Sequence, residues 1–190
     1  MRTFIAIPLP KETKDLLSKL QNQLKSCGAD VKWVQPQNIH LTLKFLGEIN
    51  EEELNKISLV LEEMDNKISV FTVSIDSIGA FPRINSPRVI WVGPGSGDNE
   101  IKILAKELEE RLNEIGISRE EKPFSSHITL GRMRSGLKID KLINGLKELT
   151  LPQQAGGREF PVHKITLFKS TLTPKGPDYE ILKEANLKTD

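Results

Sequence analysis

This 190-residue chain contains one short pattern twice: HLTL at residues 40–43 and HITL at residues 127–130, 87 residues apart (127 − 40). In an extended strand successive side chains point to opposite faces, so each histidine shares a face with the threonine two residues later. The apolar residues between them point to the other face. Each copy therefore predicts a strand with a buried face and a second face that carries an imidazole and a hydroxyl. Two such strands side by side would form a symmetric four-residue site.

The periodicity of apolar residues predicts alternating strands and helices around both copies. Strands are predicted over residues 3–8, 31–34, 39–46, 71–76, 88–93, 125–133, 160–169 and 179–187, and helices over about 10–27, 50–64, 98–115 and 142–149. Residues 81–87 are the best candidate for a crossover between halves. The pattern predicts an α+β fold in which two pseudo-symmetric lobes of antiparallel sheet plus helices surround a central cleft. We expect residues 1–190 to form a single bilobal domain.

Composition excludes several classes of function. Lys and Arg number 27 against 26 Asp and Glu, which argues against a general nucleic-acid coat but leaves room for a local basic cleft. With one cysteine and three histidines, an internal disulfide is excluded and a Cys/His zinc cluster is implausible. Residues 94–97 form a glycine-rich loop that lacks the Gly-Lys-Ser/Thr ending of a P-loop, and they are interpreted as a turn. We expect a cytoplasmic monomer without a membrane segment.

The paired motif suits displacement at phosphorus. A histidine has an ordinary pKa of about 6.5, so near neutral pH one imidazole of a pair can act as the base while the other acts as the acid. The hydroxyls of Thr42 and Thr129 can donate to phosphate oxygens whose charge grows in the transition state. This chemistry needs no metal or cofactor. One His-x-Thr strand usually marks only a polar face, whereas two copies favour a site.

Four other side chains are secondary candidates. Simple alternation turns Arg132 away from His127, unless a bulge at Gly131 brings its guanidinium back towards a phosphate. Lys44 shares the alternation of the first motif and by that pattern would face the site, although lysines at strand ends are usually solvated. Phe45 and Trp33 could stack on a nucleobase, although each fits a core position better.

The third histidine, His163, is interpreted as structural, because the following threonine is three residues away and so lies on the other face of a strand.

The whole chain resembles the two-histidine (2H) phosphoesterases and, within them, the RNA 2′,3′-cyclic phosphodiesterases, historically called 2′-5′ RNA ligases. Besides the two motifs, the resemblance rests on five further stretches. These are RTFIAI at residues 2–7, WV at 33–34, KFLGE at 44–48, RVIWVG at 88–93 and STLTPKGPDY at 170–179. Many members carry a proline just before the second histidine, where this chain has Ser125 and Ser126. We therefore expect a less rigid approach to that strand.

The resemblance implies a 2H phosphoesterase fold that opens an RNA 2′,3′-cyclic phosphate to a 2′-phosphate by cleavage at the 3′ oxygen. It implies that His40 is the proton donor to that oxygen and that His127 is the proton acceptor that activates water. Thr42, Thr129 and Arg132 would bind the phosphate. The expected partner is RNA with a cyclic phosphate end, with tRNA halves among the candidates, and the reverse reaction would be 2′-5′ RNA ligation.

Two alternatives stay open. The same cleft could belong to a non-catalytic module that binds a nucleotide or an RNA end, although a binding module needs no matched acid and base. Within the enzyme class, the substrate could instead be a small cyclic nucleotide or another cyclic phosphate.

Overall fold

The computed structural model describes residues 1–151, 156–174 and 176–189. The helices are α1 (Lys11–Lys25), α2 (Glu51–Met64), α3 (Asp98–Glu114) and α4 (Ile139–Glu148), and Pro36–Asn38 form one 3₁₀ turn. The strands are β1 (Arg2–Pro8), β2 (Val31–Trp33), β3 (His40–Glu48), β4 (Phe71–Arg83), β5 (Ser86–Pro94), β6 (Ile128–Met133), β7 (Glu159–Val162), β8 (Lys164–Thr173) and β9 (Gly176–Asn186).

These strands form one sheet in the order β7-β4-β5-β6-β3-β1-β8-β9, with β2 also paired to β6. All pairings between the named strands are antiparallel. We call β3, β1, β8 and β9 the first half-sheet and β6, β5, β4 and β7 the second. The halves meet at β3 and β6 through the pair Leu41–Ile128. These two residues hold the same place in the two motifs, so a pseudo-twofold axis passes between them. The predicted α+β class with two pseudo-symmetric halves is confirmed.

The four helices cover the face of the sheet that carries Leu41 and Ile128. In α1, apolar side chains at helical spacing are buried against the sheet: Leu16, Leu17, Leu20 and Leu24. The start of α2 is set by a capping box, in which the Asn50 side chain accepts from the Glu53 backbone and the Glu53 carboxylate accepts from the Asn50 backbone. The opposite face of the sheet, which carries His40 and His127, is left open for a site.

The N-cap position of α3 belongs to Gly97, and Asp98 is the first residue of the helix. Gly97 has a φ of 79°, and a Cβ there would lie 2.4 Å from the Thr72 carbonyl oxygen, so only glycine fits. The Asp98 carboxylate accepts from Lys102 and from Ser126.

Two sequence predictions about connections were wrong. Residues 81–87 are not a crossover: β4 runs on to Arg83 and returns directly as β5, so both strands stay in the second half-sheet. Pro82 does not break the strand, because it lies where the ladder ends and its missing donor costs little. The predicted strand at 160–169 is two strands, β7 and β8, which belong to different half-sheets and are separated by the exposed His163.

No helix in the described ranges is both long and apolar enough to cross a membrane.

Candidate active site

His40 opens β3 and has both ring nitrogens engaged. Its Nδ1 lies 2.7 Å from the Asn38 carbonyl oxygen, and its Nε2 lies 3.0 Å from the Thr42 hydroxyl. A carbonyl oxygen only accepts, so Nδ1 carries the proton and donates to Asn38. In the neutral ring Nε2 then holds a lone pair that accepts from Thr42. Nε2 is therefore the atom available for proton transfer.

The ring of His40 packs among aromatic side chains. Phe4 stacks on it with centroids 4.7 Å apart, and Tyr179 meets it edge-on at 5.5 Å. Burial lowers the pKa of His40 to about 4; the positive charges of Lys14 and His127 act in the same direction, and the hydrogen bond to Asn38 opposes them. His40 is therefore neutral near pH 7 in the free protein.

His127 comes immediately before β6 and repeats part of this arrangement. Its Nδ1 lies 2.7 Å from the Ser125 carbonyl oxygen, again two residues upstream, so Nε2 is again the ring nitrogen available for proton transfer. Phe81 meets the ring edge-on, with centroids 5.0 Å apart. Each motif thus holds its histidine by the same backbone contact.

The register of the sheet brings the two motifs together. Extending the antiparallel Leu41–Ile128 pair by one residue in each direction places His40 across from Thr129 and Thr42 across from His127. All four side chains therefore lie on one face around the pseudo-twofold axis, as the alternation of each strand predicted.

A bulge in β6 turns Arg132 towards this face. Thr129 pairs with Trp91 and Arg132 pairs with Val89, with an irregularity between them in the ladder. Trp91 and Val89 share one face of β5, so Arg132 shares the face of Thr129. The bulge needs a glycine, because a Cβ at Gly131 would lie 2.7 Å from a Val31 side-chain carbon. Arg132 is exposed on the site face, as the bulge hypothesis required.

An equivalent bulge in β3 has the opposite effect on Lys44. Thr42 pairs with Ala6 and Lys44 pairs with Ile5, so the extra residue between them turns Lys44 to the helix-covered face. There its ammonium lies 2.8 Å from a Glu109 carboxylate oxygen. Lys44 is therefore neither on the site face, where simple alternation would place it, nor solvated, because alternation fails across the bulge.

The two aromatic candidates behave differently. Trp33 is half-buried against the core, as expected, with the Lys25 ammonium 6.0 Å from its ring centroid. Phe45 is 58% exposed and pairs with Phe4 on the His40 side of the sheet, so the core assignment was wrong for Phe45. The same bulge that turns Lys44 inwards turns Phe45 out.

The approach to His127 has a constraint that the sequence prediction did not include. The Ser126 hydroxyl donates to the Asp98 carboxylate and so ties the residue before the histidine to the first turn of α3. The Asp98 pKa is held below its ordinary value by its hydrogen bonds to Lys102 and Ser126, which outweigh the opposing effect of burial. The carboxylate is thus kept as an acceptor.

Sequence reasoning gave no role to several residues around the histidines. Phe4 and Tyr179 enclose His40, and the Asn38 side chain donates to the Pro177 carbonyl oxygen at 2.7 Å. Burial raises the pKa of Tyr179 above its ordinary value, against the positive charges of Arg2 and Arg132. Tyr179 lies in the stretch 170–179 that carried part of the resemblance, and this was the only available signal.

Among the residues that the structure describes, no three or more His, Cys, Asp and Glu side chains form a group that could hold a metal ion.

Comparisons with known proteins identify the family of this chain. The profile of the LigT-like phosphoesterase family matches the chain twice, over residues 7–91 and 92–179. The RNA 2′,3′-cyclic phosphodiesterase of Methanocaldococcus jannaschii is 36% identical over 187 residues, which are 97% of this chain and 99% of that protein. The protein of the same name from Thermotoga maritima is 36% identical over 188 residues, 99% of this chain and 96% of its own.

Solved structures give the same result. A protein from Thermus thermophilus superposes with a TM-score of 0.81 at 30% identity, covering 99% of this chain and 98% of its own. E. coli LigT complexed with 3′-AMP superposes with a TM-score of 0.78 at 27% identity, with the same coverage. The repeated family match and the near full-length relatives show that this chain belongs to the LigT-like phosphoesterase family.

Proposed function

We propose that the protein hydrolyses RNA 2′,3′-cyclic phosphate ends to 2′-phosphomonoesters by metal-independent acid and base catalysis between two histidines. The observation that carries this proposal is the pair of imidazoles on one face, each with Nδ1 bound to a backbone carbonyl and Nε2 left for proton transfer. Related proteins over nearly the full length are named RNA 2′,3′-cyclic phosphodiesterases, which supports the choice of substrate.

In the proposed reaction the cyclic phosphate lies between the two Nε2 atoms. His127 Nε2 takes a proton from water as the water oxygen attacks phosphorus, and the bond from phosphorus to the 3′ oxygen breaks. His40 Nε2–H gives its proton to the 3′ oxygen, which leaves as a hydroxyl, and a 2′-phosphate remains. Thr42 and Thr129 donate to the non-bridging oxygens as their negative charge grows. Proton exchange with solvent then resets both rings.

The acid role of His40 requires a proton that the free protein lacks near pH 7, because its pKa is about 4. A bound phosphate anion beside Nε2 favours the imidazolium and raises this pKa. Once Nε2 carries a proton, it no longer accepts from Thr42. The Thr42 hydroxyl is then free to donate to the phosphate, so substrate binding prepares both residues together.

Two further residues complete the proposed site. The Arg132 guanidinium can hold a phosphate oxygen with two donors, and the exposed ring of Phe45 can stack on the terminal base. If the 5′-hydroxyl of a second RNA replaces water, the reverse reaction forms a 2′-5′ linkage, and tRNA halves are candidate substrates for it. Water is in large excess, so hydrolysis dominates in dilute solution.

We further propose that residues 1–190 act as one bilobal domain, since each half-sheet supplies one histidine to the same face. A cytoplasmic monomer remains our proposal for the working form.

The direct test uses end-labelled RNA with a 2′,3′-cyclic phosphate in excess EDTA. Wild-type protein should give only the 2′-phosphate, with a bell-shaped pH profile, and His40→Ala or His127→Ala should lower kcat by about 10²- to 10⁴-fold. His163→Ala is the matched control and should leave the rate unchanged. Retained activity in both motif variants, or a 3′-phosphate product, would contradict the proposal.

One observation favours a second candidate, a module that binds RNA ends without turnover: the low pKa of His40 leaves no proton to donate in the free protein. Tight binding of a cyclic-phosphate RNA with no product after hours would support this alternative. If turnover is seen, comparing kcat/KM for RNA oligomers and mononucleotides decides whether a small cyclic nucleotide is the preferred substrate.

A further inference from the structure

Lys44 is a buried cation close to the first motif. Its side chain is 3% exposed, and its ammonium lies 2.8 Å from Glu109 Oε2 and 3.8 Å from Glu120 Oε1. It also donates to the Ser118 carbonyl oxygen at 2.8 Å. Removing an ammonium from water costs several kcal/mol in principle, and an apolar residue would fill this position at less cost. The role of the Lys44 ammonium can be inferred from the groups that it binds.

All three partners belong to α3 or to the segment that follows it. Residues 115–127 contain no helix or strand, and this segment ends at His127. The Glu109 carboxylate binds Lys44 with one oxygen and accepts from the Glu120 backbone N–H with the other, at 2.6 Å. Lys44 thus holds the segment directly at Ser118 and, through Glu109, at Glu120.

The sheet alone joins the two motif strands weakly. The ladder between β3 and β6 contains the pair Leu41–Ile128, and Lys44 lies in β3 three residues beyond Leu41. Lys44 therefore provides a second connection between the strand of the first histidine and the chain that leads to the second. The bulge after Thr42 makes this connection, because without it Lys44 would point to the site face.

We propose that Lys44 is a positioning residue for His127, which couples the placement of the second histidine to the first motif strand. The inference rests on the proposed function only for its catalytic readout. Lys44 lies on the helix-covered face and binds Glu109, whereas His40 lies on the opposite face, so Lys44 acts through the 115–127 segment and not on His40 directly.

The test compares Lys44→Met, Lys44→Arg and the double variant Lys44→Met/Glu109→Gln with wild type. Lys183→Met is the matched control, because Lys183 is also a strand lysine on the helix-covered face, paired with the α2 residue Glu62. Misplacing a reacting group by about 1 Å costs roughly 10²-fold, so Lys44→Met should lower kcat by about 10- to 100-fold with KM changed little. Lys44→Arg keeps the positive charge and should retain most of the wild-type kcat.

The double variant separates positioning from stability. Lys44→Met alone leaves Glu109 partly buried without its cation, whereas the double variant removes both charges and should recover much of the Tm. A glutamine oxygen at position 109 can still accept from the Glu120 backbone N–H, but the contact from residue 44 to the Ser118 carbonyl oxygen and the link from residue 44 to residue 109 stay lost, so kcat should stay low. A double variant with wild-type Tm and wild-type kcat would overturn the proposal, as would an equal loss of kcat in Lys183→Met.

A second readout does not depend on activity. The Nδ1–H of His127, bound to Ser125, should give a protected ring-proton NMR signal in wild type and Lys44→Arg. This signal should weaken in Lys44→Met and in the double variant, while that of His40 persists. An unchanged His127 signal in a folded Lys44→Met protein would refute the positioning role, even if wild type opened no cyclic phosphate and the proposed function itself failed.

Discussion

The two histidines occupy equivalent positions in the sheet but have different surroundings. His40 lies under Phe4 and Tyr179 with Nε2 bound to Thr42, and burial lowers its pKa to about 4. His127 has an aromatic edge contact to Phe81 and follows an irregular segment of the chain. The same backbone contact at Nδ1 holds both rings. The difference between the two rings thus comes from the residues packed on each motif and not from the motif itself.

After the histidines themselves, the threonines give the largest expected effect on the rate. Thr42→Val and Thr129→Val should each lower kcat by about 10²- to 10³-fold, because each removes a donor to the charged phosphate oxygens. Thr42→Val also removes the donor to neutral His40, so it alone should raise the pKa of His40, as measured by NMR titration. Serine at either position is the control and should keep most of the activity. Equal His40 titration curves in Thr42→Val and Thr129→Val would contradict the expectation that only Thr42 donates to neutral His40.

Arg132 and Phe45 test the comparison at a second equivalent position, since each follows its histidine by five residues. Hydrogen bonds to charged groups contribute about 1.5–3 kcal/mol, so Arg132→Met should raise KM by roughly 10- to 100-fold and weaken inhibition by inorganic phosphate. Arg132→Lys should recover part of the loss. Phe45→Ser should raise KM for RNA by about tenfold through lost stacking, without changing phosphate inhibition. If phosphate inhibition weakened equally in both variants, the two positions would not have separate roles.

The smallest of the expected effects concerns stability and not activity. It is the change of the free energy of unfolding with pH, which reports directly on the burial of His40. The folded pKa of His40 lies below its ordinary value, so between about pH 6.5 and pH 4 the unfolded chain binds a proton that the folded protein does not. The contribution of His40 to stability is therefore full above pH 6.5 and is lost as the pH falls towards 4. Urea unfolding should show a steeper loss for wild type than for His40→Gln.

Added phosphate sharpens this measurement. If it raises the pKa of His40, the wild-type loss of stability on acidification should shrink, whereas His40→Gln should show no such change. A wild-type curve parallel to that of His40→Gln under both conditions would contradict the buried, neutral state of His40.

The sequence predicted the four motif side chains because strand alternation is a local property. It failed at Lys44 and Phe45, where a bulge reverses the faces, because the bulge depends on how β3 pairs with β1. At Arg132 the preceding Gly131 made a bulge plausible, so the sequence could suggest that Arg132 turns to the site face against simple alternation. Phe4 and Tyr179 were missed since they are 36 and 139 residues from His40 in the sequence (40 − 4 and 179 − 40), and no periodicity reports such contacts.

The return of the C-terminal hairpin to β1 has a consequence for how the chain folds. Phe4 pairs with Phe168, whereas all strands of the second half-sheet lie between residues 71 and 162. Contacts of such long sequence separation form slowly, and during synthesis they form only after the last strands leave the ribosome. The second half-sheet can therefore assemble while the first still lacks β8 and β9. The pocket around His40 includes Tyr179 of β9, so it is complete only after β8 and β9 have been made and have paired with β1.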